Sequence, residues 1–306
     1  MPDTFFTASP HWGWLIVFYF FIGGIAGAAF FLSALLHLFG RAADRPVVRT
    51  GYLVALSGVI VSAILLVVDL SRPLRFWHML IQSNTGWPMF KAWSPMSVGS
   101  WAFALFGVFT ALAALGAWAE IRAPASPLRR LANGLPGKAI AVLGGSSGVF
   151  VAGYTGVMLS VTNRPLWGDS SVLGGLFLSS AASGAAAVLV LATTWRGRRD
   201  ATSLEWLQRV DRGALMLKGV LLVAVVVSLG AAAQVLVGIW GVALAAVLIG
   251  GVLVPLLMRR GRWSIPERPM MVASALLVLA GGFLLRVVVI FSSESVYVMG
   301  AGVHGP

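Results

Sequence analysis

Residues 13–39 read GWLIVFYFFIGGIAGAAFFLSALLHLF, and no Asp, Glu, Lys or Arg interrupts them. At roughly 1.5 Å per residue, a helix of this length spans the ~30 Å hydrocarbon core of a bilayer. Seven more apolar runs follow, at 51–70, 98–120, 139–161, 171–194, 210–232, 236–258 and 270–291. Eight segments of roughly 22 residues would use about 176 residues, close to the hydrophobic share of 58% of 306. Only 10% of the residues are charged, where an ordinary soluble domain carries about 25%, and a soluble core of this size could not hide so much apolar surface. The sequence therefore predicts an all-α integral membrane protein with eight transmembrane helices, read as a single polytopic domain over 1–306. The first twelve residues lack the basic region of a secretory signal, so the first run is expected to be a retained helix.

Charge placement gives the topology. The connections after the first, third, fifth and seventh runs, counting Arg212 at the edge of the sixth run, hold 16 of the 22 Lys and Arg; the opposite side holds Arg72, Arg75, Lys91 and Arg164, and Lys218 and Arg286 lie deeper inside runs. Basic loops face the cytoplasm, so both termini are expected on the non-cytoplasmic side of the cell inner (plasma) membrane, as an even number of spans requires. The net charge of +12 is thus topology and not a nucleic-acid footprint. With no cysteine the chain can form no disulfide, thiolate-ligated iron–sulfur cluster or cysteine nucleophile. His11, His37, His78 and His304 sit at helix ends or in tails, which argues against haem within the bundle, and no Walker A, HExxH or metal-spaced acid–histidine cluster occurs. The boundary near Gly230–Gly238 carries no charge, and there a re-entrant arrangement remains an alternative to two separate spans.

Small residues recur at helical spacing: Gly23 and Gly27 on the first run, Gly144, Gly148, Ala152, Gly156 and Ser160 on the fourth, Gly175, Ser179, Ser183 and Ala187 on the fifth. Such ridges let membrane helices approach closely. The outer connections are composite, and Met79 to Trp93, rich in Trp, Pro and Met and too short to span, is expected to lie in the outer interface and cover helix ends.

Ionisable residues in or at the edge of hydrocarbon are costly and therefore functional candidates. Asp69 ends the second run at the outer boundary, either as a carboxylate paired with Arg72 or Arg75 or as a proton acceptor. Tyr19 and Tyr154 lie about 9 and 10 Å from the outer ends of their helices at roughly 1.5 Å per residue, and either belongs to an aromatic belt or presents a phenol to a ligand. Arg286 either snorkels or partners a carboxylate or ligand oxygen; Lys218 either snorkels to the cytoplasmic interface or lies on a proton path.

Three linked segments, Asp69-Leu-Ser-Arg-Pro-Leu-Arg-Phe-Trp77, then Ser94-Pro-Met-Ser97 with Gly99-Ser-Trp101, then Gly153-Tyr-Thr-Gly156 through Ser160 with Asn163 to Trp167, follow one another. Together with Gly23-Gly-Ile-Ala-Gly27 and Gly281-Gly-Phe-Leu-Leu-Arg286, they resemble the NrfD/PsrC family, the membrane subunits of polysulfide-reductase-like and related molybdopterin complexes. The resemblance covers the whole chain. It implies eight helices in two four-helix bundles, no haem, metal or other redox centre in the chain, and a quinone site (menaquinone or ubiquinone) near the outer face. Above that site it implies an iron–sulfur cluster protein docked on the outer loops, and beyond that a catalytic subunit of molybdopterin type. Tyr154 matches the family tyrosine placed at the quinone, Asn163 falls in the same motif as a further quinone contact, and Asp69 matches the acid linked with proton exchange. Some members carry a histidine and an upstream asparagine on the first helix; the matching positions here are Tyr19 and Ile16, a departure that alters how a quinone would be hydrogen-bonded. On this reading Tyr19 and Tyr154 orient a quinol and Asp69 accepts its proton, while Arg72, Arg75, His78, Lys91 and Arg164 support Asp69 or contact the partner. The alternatives are a membrane transporter and a purely structural anchor for a peripheral complex. Transport is disfavoured because Pro255 is the one proline interior to a run and broken helices around midplane charges mark transporter sites.

Overall fold

The computed structural model describes residues 12–162, 164, 166–195, 201–260 and 267–303. Nine α-helical segments account for most of them: α1 (Trp14–Phe39), α2 (Arg45–Asp69), α3 (Pro95–Arg122), α4 (Gly134–Ser160), α5 (Leu173–Trp195), α6 (Ala201–Ser228), α7 (Ile239–Leu248), α8 (Val254–Arg260) and α9 (Glu267–Val303). A π-helical turn, Ile249–Leu253, joins α7 to α8, so that Ile239–Arg259 is one rod. Among the described residues there is no strand, only an isolated bridge between Ile81 and Pro88.

Seven of these helices, counting that rod as one, are long and apolar enough to cross a membrane. Helix α6 is as long as the others but carries Glu205, Arg209, Asp211, Arg212 and Lys218 and is not one of the seven. Several helices begin before the apolar run that announced them. Helix α2 starts at Arg45 with Pro46 in its first turn, and α6 starts at Ala201, because backbone hydrogen bonding continues through charged residues once the chain leaves hydrocarbon. Between α6 and α7 the chain forms 3-10 turns over Gly230–Val237, opened by Gly230 at φ +51°, so two helices and a link occupy the stretch with no charge.

Helix α1 is the hub. It packs on α2, α4 and α5 and touches α9, while α5 also packs on α6 and α9, and the α7–α8 rod lies along α9. Glycine sets the closest approach. The carbonyls of Gly27 and Gly148 lie where a side chain on the other would stand, so α1 and α4 meet backbone to backbone. The π-helical turn meets α9 the same way, Gly251 against Gly281. Residues 73–94, linking α2 to α3, run through a 3-10 stretch, Pro73–Met79, into a tight return at Gly86, φ +71°. Hydrogen bonds from Trp101 Nε1 and Ser97 Oγ to the Met89 carbonyl hook this ledge to the start of α3. Its 3-10 stretch buries no residue and Trp87 and Trp93 stay largely exposed; it stands beside the helix ends as an open apolar shelf.

Candidate functional site

At the Asp69 end of the molecule, four helices converge on two tyrosines. Tyr19 on α1 is buried, with its ring edge-on to Phe103 of α3 at 6.0 Å between centroids. One turn further, a side chain at Gly23 would meet the Tyr19 ring and Ser62 Oγ of α2, each 3.3 Å from its Cβ. Glycine there is what lets α2 bring a hydroxyl beside the phenol. That Ser62 hydroxyl is buried and has no hydrogen-bond partner among the described residues, a costly condition for a polar group.

Tyr154 on α4 is half-buried and lies within electrostatic range of Tyr19. Its hydroxyl donates to the Pro95 carbonyl at the start of α3, and its ring stacks on Phe150 at 5.5 Å and 19°. The ring crosses over Gly99, where any Cβ would collide with it. Gly99 and Phe103, one turn apart on α3, thus touch Tyr154 and Tyr19 respectively. In front of Tyr154 lies a groove of about 400 Å³, lined by Ala92, Trp93, Pro95, Phe150 and Val157 among others. Its walls are apolar side chains of the ledge, α3 and α4, several of them exposed, so it opens on the surface of the molecule. The volume is within the range of small-molecule sites, and one polar oxygen among apolar walls suits a flat apolar ring with polar substituents.

Asp69 closes α2 two turns beyond Ser62 on nearly the same face, about 10 Å along the axis. It is exposed, and among the described residues it forms neither a hydrogen bond nor an ion pair; Arg72 and Arg75, also exposed, do not clamp it. Lys91 is exposed on the ledge, and His78 lies against Trp77. Asn163 lies outside the described residues. Arg164 is buried: it stands over the Trp167 ring at 4.9 Å and faces Glu294 of α9 at 3.8 Å. Trp167 in turn donates to the Val289 carbonyl at 2.7 Å and stacks on Trp12, so this corner seals the α4–α5 link against α1 and α9.

Arg286 is 1% exposed and far from a snorkelling position. Its guanidinium donates to Ser180 Oγ, the Gly282 carbonyl and the Phe177 carbonyl and lies over the Phe177 ring at 4.9 Å. Lys218 is fully buried on α6. Beside it on α6 the structure adds a group that the sequence did not single out, the buried Asp211 ion-paired to Arg259 of α8. Its signal was the seven-residue spacing to Lys218, masked because an acid at the edge of an apolar run reads as loop. Ser62, seven residues before Asp69, was hidden in the same way inside a run.

Comparison with known proteins agrees with this architecture. The family model described as polysulphide reductase, NrfD, matches residues 3–297. The chain belongs to the NrfD family. Protein NrfD of Escherichia coli (strain K12) is 28% identical over 224 residues, 66% of this chain and 66% of that protein. A selenate reductase subunit of Mesobacillus selenatarsenatis is 24% identical over 122 residues, 40% of this chain and 26% of that one. The chain thus matches just under two thirds of the first relative's length and about a quarter of the second's. Membership in the NrfD family, with seven helices able to span, makes this a multi-pass membrane protein.

Proposed function

We propose that this NrfD-family chain is the quinol-binding membrane subunit of a respiratory oxidoreductase complex in the inner (plasma) membrane. It passes electrons between the quinone pool, menaquinone or ubiquinone, and an iron–sulfur protein docked at the Asp69 end, with a molybdopterin-type catalytic subunit beyond. Kinship with a family described as polysulphide reductase and with a selenate reductase subunit supports that setting. Helix α6 is the eighth span: Lys218, the charge farthest into it, and Asp211 are buried against protein and not lipid, while Arg212 is exposed at its edge.

The observation that carries the reading is the hydrogen-bond direction at Tyr154. Its O–H is spent on the Pro95 carbonyl, so toward the groove the phenol offers an oxygen that accepts. A quinol hydroxyl donates to such an oxygen, whereas a quinone carbonyl does not. Oxidation of a bound quinol supplies two electrons and two protons. Tyr154 holds the headgroup, Tyr19 and the Ser62 hydroxyl provide the polar depth of the site, and Asp69, without an ion-pair partner among the described residues and open to water, takes one proton while the second leaves to water. Without a cysteine the chain does not hold a thiolate-bound cluster, so the electrons leave to a partner across the ledge bearing Arg72, Arg75 and Lys91.

Titration of membranes with a non-oxidisable quinol analogue tests this. Tyr154→Phe removes the hydrogen bond to the quinol, worth about 0.5–1.5 kcal/mol, along with the tie to Pro95, and is expected to weaken binding severalfold; unchanged affinity would remove Tyr154 from the site.

A further inference from the structure

The charged groups that the quinol reading leaves unused lie on α6, α8 and α9. Lys218 on α6 is completely buried, and among the described residues its Nζ has no hydrogen-bond partner. Two charged groups act on it electrostatically, Arg286 of α9 and Asp211 of α6. Asp211 sits two turns earlier on the same face of α6, is completely buried, and is engaged by Arg259 of α8, whose Nε also donates to Ser274 of α9 at 3.2 Å. Among the described residues Arg286 is held only by neutral acceptors, and its Nε has none. Helix α5, packed along α6, contributes no charge over Leu173–Trp195, and neither does the π-helical turn that meets α6 near Gly219.

The charge balance around Lys218 is decisive. A guanidinium keeps its proton at any pH a protein meets, so Arg259 and Arg286 against Asp211 already leave one positive charge uncompensated in a low-dielectric interior. An ammonium at Lys218 would add a second, with three donors and no acceptor. A neutral amine removes both the repulsion from Arg286 and the cost of burying an unpaired ion. We propose that Lys218 is a proton-binding site in the membrane interior, a resting neutral amine that exchanges its proton with the basic end of the molecule through the Asp211–Arg259 pair.

In the step itself, a proton from water at that end adds to the Asp211 carboxylate and releases Arg259, whose side chain is already 12% exposed. Asp211 then gives the proton to the Nζ lone pair, an N–H bond forms, and the carboxylate recovers its charge and its pairing with Arg259. One proton is taken up and nothing else changes. Side chains on a helix lean toward its N-terminus, which carries Lys218 toward Asp211. The proposal is independent of the quinol site, since none of its residues lines the Tyr154 groove.

The chain has three lysines, Lys91, Lys138 and Lys218, and the first two are exposed. Solid-state NMR of the full chain labelled with 15Nζ-lysine in liposomes therefore reads three side-chain nitrogens. Lys218→Gln identifies one by its loss; Lys91→Arg with Lys138→Arg, both at exposed positions, identifies it by elimination should the first variant fail to fold. The expected result near neutral pH is two ammonium signals and one neutral amine, the amine converting reversibly to ammonium on acidification. Replacing the pair together, Asp211→Asn with Arg259→Gln, leaves neither member of the pair as a lone charge and is expected to slow proton exchange at Nζ at least severalfold. A Lys218 signal that is ammonium at every pH, or neutral at every pH, overturns the site; unchanged exchange in the paired variant overturns the route.

Discussion

At Tyr154 a hydrogen bond and an absent side chain together determine what the groove can hold. The phenol is tied to Pro95, and the space its ring occupies exists because residue 99 is glycine. Gly99→Ala raises helix propensity on α3 yet places a methyl in the ring, so it is expected to leave the helix content of the protein unchanged while lowering quinol-analogue affinity as much as Tyr154→Phe. Circular dichroism beside the analogue titration checks both halves. Arg286 makes a parallel case. Its planar fork reaches Ser180 and Phe177 on α5 as well as Gly282 on its own helix, a geometry an ammonium does not reproduce. Arg286→Lys is expected to destabilise the α5–α9 joint by about 1–3 kcal/mol, seen as a lower unfolding midpoint in detergent; an unchanged midpoint would mean the fork carries no stability. Sequence alone named Tyr154 and Arg286 because rare residue types stand out in apolar runs. It did not name Ser62 and Phe103 as neighbours of Tyr19, or Gly99 as the seat of the Tyr154 ring, because each is ordinary in type and only the three-dimensional register of α1 to α4 joins them.

Among the helices, the small-residue ridge on α4 is legible from its spacing alone, and the packing around it shows what it serves. Gly144 lies under Phe30, Gly148 on the Gly27 backbone, and Gly156 on the backbone that opens α5. Gly148→Leu is expected to push α1 from α4 at a cost of about 1–3 kcal/mol or more, as overpacking does, and to lower the unfolding midpoint accordingly; a tolerated leucine would show that the contact is loose. Other features were not legible. The π-helical turn at Ile249–Leu253 has no sequence pattern distinct from an apolar helix, and its reason appears only in the backbone contact of Gly251 with Gly281. The stretch Met79 to Trp93 was readable as too short to span, but its exposure was not, since Trp and Pro at a membrane interface suit a cover and a docking shelf equally.

Over the whole molecule, polar groups divide by end. Opposite Asp69, Glu120 joins Arg49 at 2.7 Å, and Asn133 bridges Glu120 to Arg45, tying α2, α3 and α4 where the basic loops cluster. At the Asp69 end, Arg72, Arg75 and Lys91 are exposed beside an apolar shelf, a surface suited to an acidic partner. Replacing all three by Ala is expected to weaken retention of the proposed iron–sulfur partner and reduce the salt dependence of that retention, measured by co-purification at graded ionic strength. Equal retention at every salt concentration would place the partner elsewhere. The central claim, that this chain delivers electrons from quinol to an iron–sulfur protein, is tested most directly by purifying it from its native membrane in mild detergent and recording EPR spectra before and after adding a reduced quinol. The account predicts a co-purifying iron–sulfur partner whose clusters become reduced on quinol addition; a chain that isolates alone, with no cluster signal and no bound quinone, would contradict it.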